Sequence, residues 1–147
     1  MRAPAPGWRE EAGRVLARGR RVDRRIPSFL LRSPLSRFGY LWATAVGWLW
    51  GTLWSTGEVT RRHGLWVFTG MPKYTYLRGG QCVGGCFLTG PPPSEAMLRH
   101  EAVHKQQWLR YGMLLPVLYL WAGRNALRNR FEIEAGLEDA NYVPRGS

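Results

Sequence analysis

The pentapeptide His100-Glu101-Ala102-Val103-His104 limits what this chain can fold into and bind more than any other stretch of the sequence. In a helix, residues four apart lie on one face, so the two histidines can present ring nitrogens to a single tetrahedral metal ion. Glu101 lies about 100° further round the helix, where its carboxylate can reach a water on that ion without binding the ion. The spacing predicts His100 and His104 as metal ligands and Glu101 as a general base. A surface helix with incidental histidines is the alternative.

The residues before this motif indicate where its helix begins. Three consecutive prolines at positions 91–93 interrupt the chain, and Ser94 is a typical N-cap residue. Glu95 follows in the first turn, where a negative charge complements the helix dipole. These signals predict a helix from about Ser94 to Tyr111, followed after Gly112 by a short apolar helix.

Short apolar and β-branched pieces separated by glycines lie between Gly64 and Gly90. They read LWVFTG, YTYLRGG and QCVGGCFLTG, and they predict two or three short strands. The strand around residues 82–89 directly precedes the motif helix, so its edge could bind an extended peptide through main-chain hydrogen bonds. Strands and helices segregated in this way predict an α+β fold.

The third ligand of the predicted metal site comes from an acidic segment near the C-terminus. A catalytic zinc ion usually takes three protein ligands and one water, and the remaining histidine, His63, lies in a basic turn upstream. A predicted helix from Asn129 to Asp139 contains Glu132 and Glu134, which point to nearly opposite faces, so only one can face the ion. Asp139 shares the face of Glu132, where it could orient a ligand histidine.

The first 57 residues differ in character from the rest. Residues 1–37 carry ten arginines against three acids, which predicts a basic tail that either binds anionic lipid or nucleic acid or is simply solvated. No finger or helix-turn-helix signature accompanies the charge, so we expect no specific nucleic-acid binding. Residues 38–57 are uncharged over a length typical of a membrane-spanning helix, and a helix buried in the core is the alternative. We therefore expect a basic tail (1–37), a hydrophobic helix (38–57) and a metal-binding domain (58–147) in a membrane-associated protein, or otherwise a cytoplasmic one.

The two cysteines, Cys82 and Cys86, are too few for a four-thiolate iron–sulfur cluster or a disulfide framework. Their spacing, C-V-G-G-C, differs from the two-residue gap of zinc knuckles and thioredoxin-like sites. We therefore expect both thiols to have a structural role.

The run RHEAVHKQQWLRYGMLLPVLYLWAG, followed by NRFEIEAGLEDANYV, resembles a family of small actinobacterial proteins, some catalogued as iron–sulfur oxidoreductases. The resemblance covers about residues 60–143 and consists of a H-E-x-x-H helix and a terminal F-E-x-E-A segment. More distantly, H-E-x-x-H with a later E-x-x-A is similar to the glutamate-zincin peptidases, in which the first glutamate of the later segment binds zinc. This similarity implies a zincin-like domain and selects Glu132 over Glu134 as the third ligand. Gly136 stands where those peptidases have an aspartate that supports the site.

The resemblance and the motif together predict a zinc-dependent metallopeptidase acting on a peptide or protein, with zinc or another divalent ion on His100, His104 and Glu132. Glu101 would be its general base. The alternative is a non-hydrolytic protein in which the ion joins two helices of a small domain. Candidates for a donor to the reacting carbonyl oxygen are Tyr111, Tyr119, Tyr142 and His63.

Overall fold

Five α-helices and one four-stranded sheet form the fold in the computed structural model, which describes residues 4–146. The helices are α1 (Trp8–Asp23), α2 (Pro34–Trp54), α3 (Glu95–Tyr111), α4 (Leu114–Ala122) and α5 (Arg130–Ala135). The strands are β1 (Val59–Arg62), β2 (Leu65–Phe68), β3 (Gln81–Val83) and β4 (Cys86–Leu88). The predicted α+β class is confirmed. Residues 1–3 and 147, the outer ends of the predicted tail and metal-binding domain, lie outside the described residues.

Two hairpins build the sheet and meet along their inner strands. The strand order is β1-β2-β4-β3, with β2 and β4 parallel and both outer pairs antiparallel. His63 and Gly64 make the first turn with φ of 51° and 74°, a backbone conformation that favours glycine and is typical of tight hairpin turns. The region between Gly64 and Gly90 contains three strands, within the predicted two or three, and β1 precedes it.

Helix α2 lies against the sheet through a row of small residues. A Cβ atom at Gly47 would lie 2.9 Å from Cys86 Cβ, and one at Gly51 would lie 2.5 Å from Cδ1 of the Phe68 ring. The helix backbone therefore approaches β4 and β2 more closely than a larger side chain would allow. The buried residues of α2 are Ser36, Gly39, Ala43, Gly47 and Gly51.

The uncharged stretch at 38–57 forms most of α2. The helix begins further upstream than predicted, at Pro34, because Ser33 caps it: the Ser33 hydroxyl accepts a hydrogen bond from the Ser36 amide at 3.2 Å. It ends at Trp54. Among residues 4–146, no helix combines the length and the hydropathy needed to cross a membrane, so the structure does not support the predicted span.

The arginine-rich segment predicted as a tail contains α1, and this helix packs against α5. Arg130 of α5 donates to Asp23 Oδ1 at the end of α1, at 2.9 Å. Arg128, just before α5, pairs with Glu11 at 2.9 Å. These contacts attach α1 to the helix that carries Glu132.

Helix α3 lies at the centre of the molecule, in contact with α2, α4, α5, β2 and β3. The predicted cap is confirmed, since the Ser94 hydroxyl accepts a hydrogen bond from the Met97 amide at 3.1 Å. Both motif histidines and Glu101 are on the buried face of this helix. The predicted metal-binding motif therefore lies inside the protein and not on its surface.

Helix α5 is shorter than the helix predicted from Asn129 to Asp139. Asn129 caps it, because its side-chain oxygen accepts a hydrogen bond from the Phe131 amide at 3.0 Å. Gly136 ends it with φ of 101°, a conformation outside the helical region that a glycine adopts without strain. The chain therefore leaves the helix before it reaches Asp139.

Candidate metal centre

His100 and His104 of α3 face Glu132 of α5 in the protein interior. The Nε2 atoms of the two histidines are 3.0 Å apart, and His100 Nε2 is 3.2 Å from Glu132 Oε2. Zinc binds nitrogen and oxygen at about 2.0–2.2 Å, so two ligand atoms on one tetrahedral ion lie about 3.3 Å apart. The ligand atoms of the three residues all lie within 4.8 Å of one another. This buried group could hold a metal ion.

The outer ring nitrogens indicate where the imidazole protons are. His100 Nδ1 lies 3.0 Å from the carbonyl oxygen of Gly136, and His104 Nδ1 lies 2.8 Å from Oε1 of Gln107. Since a carbonyl oxygen can only accept, each Nδ1 carries a hydrogen. In the neutral rings, each Nε2 then holds a lone pair that points toward the other histidine and Glu132.

The side chain of Gln107 is itself held in one orientation. Its Nε2 donates to the carbonyl oxygen of Phe131 at 3.0 Å, so turning the amide over would place two acceptors against each other. Its Oε1 therefore faces His104. Two lone pairs and a carboxylate converge on one point, an arrangement that a cation or a proton must stabilise.

The two carboxylate oxygens of Glu132 have different surroundings. Tyr119 donates its hydroxyl hydrogen to Oε1. Oε2 is buried and has no hydrogen-bond partner among residues 4–146. Burial would raise the pKa of Glu132, but the neighbouring imidazoles of His100 and His104 favour its charged form and hold the pKa well below its usual range. Glu132 is therefore charged at neutral pH, as a metal ligand must be.

Glu101, the predicted base, is buried next to the three ligands. Burial raises the pKa of its carboxyl group, while the charges of His104 and His100 oppose this rise. Its Oε2 atom has no hydrogen-bond partner in the described part of the chain. A buried polar atom without a partner costs about 1–3 kcal/mol, so a polar ligand would be stabilised beside this oxygen.

Two of the four predicted donors to a carbonyl oxygen lie beside this group. The ring of Tyr142 is 6.3 Å from that of His100, and the ring of Tyr119 is 6.5 Å from that of His104. Arg78 donates to the Tyr142 hydroxyl oxygen at 3.3 Å, which leaves the hydroxyl hydrogen free to be donated elsewhere. Burial raises the pKa of Tyr142, so its hydroxyl stays protonated. Arg78 was not predicted, because its surface loop gave no sequence signal.

The other two candidates have partners elsewhere. Tyr111 donates to Asp23 Oδ2 at 2.7 Å, and the exposed His63 ring lies 2.7 Å from Glu95 Oε2. Neither contacts a residue of the candidate metal centre through these bonds. Tyr119 and Tyr142 are therefore the tyrosines that the fold brings to the candidate metal centre.

The groups that orient the ligand histidines differ from the one predicted. Asp139 forms an ion pair with Arg99 at 3.1 Å, so the prediction that it orients a histidine is wrong. The main-chain carbonyl of Gly136 and the side chain of Gln107 take that role. A main-chain carbonyl leaves no trace in the sequence, whereas Gln107 lies three residues after His104 on the same face and could have been found.

Strand β3 lies at a sheet edge, as a peptide-binding strand would. The carbonyl oxygen of Cys82 already accepts a hydrogen bond from the indole of Trp108 at 3.2 Å, so it is not free to bind an extended peptide. Both cysteines are free thiols, and burial raises the pKa of Cys86 to about 12. Such a thiol is unreactive, which agrees with a structural role.

The ligand side chains are nearly closed off from solvent. His104 is 11% exposed, Glu132 5% and His100 2%.

No protein-family model matches this sequence, and no curated protein or solved structure is significantly similar to it. The resemblance to the small actinobacterial family stays a prediction, and inference about function depends on the geometry.

Proposed function

We propose that this protein is a zinc-dependent hydrolase of the peptidase type, with zinc bound by His100, His104 and Glu132. The observation that carries this proposal is the unpartnered Oε2 of Glu101 beside three ligand atoms spaced for one ion. A structural zinc site almost always has four protein ligands. Three ligands and an unpartnered carboxylate are instead the donor set of a site that keeps one position for water. Two imidazoles favour zinc over magnesium or calcium.

The residues around the ligands have distinct roles in the proposed hydrolysis. Zinc would supply Lewis acidity and lower the pKa of a bound water. Glu101 takes a proton from the attacking water and passes it to the leaving amine. Tyr142 donates its hydroxyl hydrogen to the carbonyl oxygen of the peptide bond that is cleaved. Tyr119 and Gln107 hold Glu132 and His104 in place.

A non-hydrolytic metal-binding protein is the second candidate, and burial favours it. His100, Glu101, His104 and Glu132 are all buried, so a substrate reaches them only after a local opening. The Trp108–Cys82 hydrogen bond also occupies the edge strand. In this candidate the ion contributes by joining α3 to α5.

Metal content and turnover distinguish the two candidates. We expect the purified 147-residue chain to contain one zinc ion, measured by plasma mass spectrometry, and to hydrolyse a mixture of quenched fluorescent peptides. Glu101→Gln should keep the zinc and lose at least about 100-fold in kcat. Glu132→Ala should lose the zinc, whereas Glu138→Ala, a matched control in the same acidic segment, should keep both zinc and turnover.

Each outcome selects between the candidates. Stoichiometric zinc with no hydrolysis in the unmodified chain supports the non-hydrolytic protein. The absence of stoichiometric metal contradicts both candidates. Tyr142→Phe tests the donor separately, and we expect it to lower kcat by about tenfold or more with unchanged zinc content.

A further inference from the structure

Large apolar side chains cover the outer face of α2, opposite the small residues that contact the sheet. They recur at the three-, four- and seven-residue spacings of one helix face. Those more than half exposed are Leu35, Phe38, Leu41, Trp42, Leu49 and Leu53. We call this surface the outer face of α2. Soluble monomers rarely expose a continuous apolar surface of this kind, and such surfaces usually mark a binding partner.

Helix α4 adds to this surface. It begins against α2, since a Cβ atom at Gly39 would lie 2.7 Å from the Met113 amide nitrogen. Met113, Val117, Leu120 and Trp121 are each more than half exposed. Two neighbouring helices therefore both present apolar side chains to the outside.

The charged residues that directly precede α2 and lie in it are all basic. Glu134 of α5, which lines a groove together with Phe38 and Leu41, is paired with Arg110 at 3.8 Å. From Arg24 to Gly57 the chain contains four arginines and no acidic residue. All four arginines are exposed, and they lie before α2 or in its first turns: Arg24, Arg25, Arg32 and Arg37. An apolar helix face flanked by arginines complements an anionic lipid surface. A symmetric contact with a second copy would instead bring like charges together.

We propose that the outer face of α2 binds the surface of a bilayer that contains anionic phospholipid, with the helix lying in the plane of the membrane. Twenty-one residues make this helix about 32 Å long, and its apolar side chains would enter the boundary between headgroups and acyl chains. The four arginines would contact the headgroups, and Trp42 would lie at the depth that tryptophan favours in membranes. This binding is separate from the metal centre and does not depend on it.

Flotation with vesicles tests the proposal and separates binding from aggregation. The unmodified protein is mixed with phosphatidylcholine vesicles, with or without about 30 mol% phosphatidylglycerol, and placed under a density gradient. We expect the protein to rise with the anionic vesicles, and less so in high salt. The triple variant Phe38→Ser/Leu49→Ser/Leu53→Ser should bind at least about tenfold more weakly, because three large apolar side chains no longer enter the bilayer.

Two further variants control for general stickiness and for charge. Tyr74→Ser/Leu77→Ser removes two side chains of similar exposure, 78% and 70%, from the loop between β2 and β3, and should bind as the unmodified protein does. Arg24→Gln/Arg25→Gln should weaken binding to the anionic vesicles about tenfold or more. Circular dichroism and urea unfolding verify that every variant is folded.

Three results would overturn the proposal. The first is unmodified protein that stays at the bottom with anionic vesicles, and the second is a triple variant that floats equally well. The third is a dimer in light scattering that the triple variant converts to monomer while neither protein floats, which would make this face a contact between two copies. A requirement for anionic phospholipid is part of the first of these tests, since equal binding to neutral vesicles would also contradict the proposal.

Discussion

At the scale of single residues, hydrogen-bond chemistry decides what the candidate metal centre can bind. The Gly136 carbonyl and the Gln107 side chain each hold an Nδ1 hydrogen, so the lone pairs of both Nε2 atoms are directed inward. A ligand set arranged in this way loses little freedom when an ion binds. Affinity should therefore depend on these two supports as well as on the ligands.

Replacing Gln107 tests this dependence. In Gln107→Leu, His104 Nδ1 loses its acceptor and the ring is no longer held, so we expect zinc affinity to fall about 10- to 100-fold. Gln106→Leu, one residue away on the exposed side of α3, is the matched control and should bind zinc normally. Competition with a coloured chelator measures both. Equal affinities would show that Gln107 does not orient His104.

Two buried glutamates should give the metal-free protein opposite responses to acid. The folded-state pKa of Glu132 is lowered from 4.5, so its contribution to stability is present above about pH 4.5 and lost as the pH falls below. The pKa of Glu101 is raised from 4.5, so its contribution is present below about pH 4.5 and lost as the pH rises. Urea unfolding in chelator between about pH 2.5 and 6 should therefore give a flatter acid dependence for Glu132→Gln and a steeper one for Glu101→Gln. Parallel curves for both variants would contradict these assignments.

At the scale of elements, the sequence predicts those helix ends that depend only on neighbouring residues. Ser94 and the prolines before it indicate the start of α3, because a cap acts on the amides of its own first turn. Gly47-x-x-x-Gly51 is ambiguous, since small residues allow close approach to any partner. Here the partner is the sheet, a contact between distant parts of the chain that no local pattern specifies.

The prediction that Asp139 orients a histidine failed for a local reason. Placing Asp139 on the face of Glu132 requires a helix that continues through both residues. Gly136 ends α5 between them, so Asp139 leaves that face and pairs with Arg99. The proximity of the three candidate ligands was predictable, because His100 and His104 lie within one helix and Glu132 lies within the part of α5 that forms.

Two glycine-to-alanine substitutions should have opposite effects on stability. Gly13 is exposed in α1 with nothing within 4 Å of an added Cβ, so Gly13→Ala should stabilise by about 0.5–1 kcal/mol through helix propensity. At Gly47 the added Cβ would lie 2.9 Å from Cys86 Cβ, and we expect a net loss of about 1–3 kcal/mol. Urea unfolding measures both. A stabilising Gly47→Ala would mean that α2 does not lie this close to β4.

At the scale of the whole molecule, the basic N-terminal segment is part of the fold. Asp23 at the end of α1 accepts hydrogen bonds from Arg130 at 2.9 Å and from Tyr111 at 2.7 Å. One carboxylate thereby connects α1, α3 and α5. The arginines of α1 are therefore part of the same folded unit as the candidate metal centre.

Removing that carboxylate should weaken the whole structure. Asp23→Ala leaves the Tyr111 hydroxyl without its acceptor and removes the charged partner of Arg130, whose side chain is 12% exposed and keeps its hydrogen bond to the Gly19 carbonyl oxygen. We expect the free energy of unfolding to fall by about 1–3 kcal/mol. Glu10→Ala, at an exposed position of the same helix, should change it by less than about 0.5 kcal/mol. Similar losses in both variants in urea unfolding would contradict the connecting role of Asp23.

The separation of the ligands along the chain has a consequence for the protein's lifetime. Glu132 follows His104 by 28 residues, so an ion bound between them closes a loop that contains the whole of α4. A cross-link over a loop of this length restricts the unfolded chain by about 3–4 kcal/mol in the chain-entropy model. Unlike a disulfide, this cross-link exchanges with its surroundings, so the population of unfolded chains would rise as free zinc becomes scarce. Proteases act on that population, and the half-life of the chain would then follow the zinc supply of its compartment.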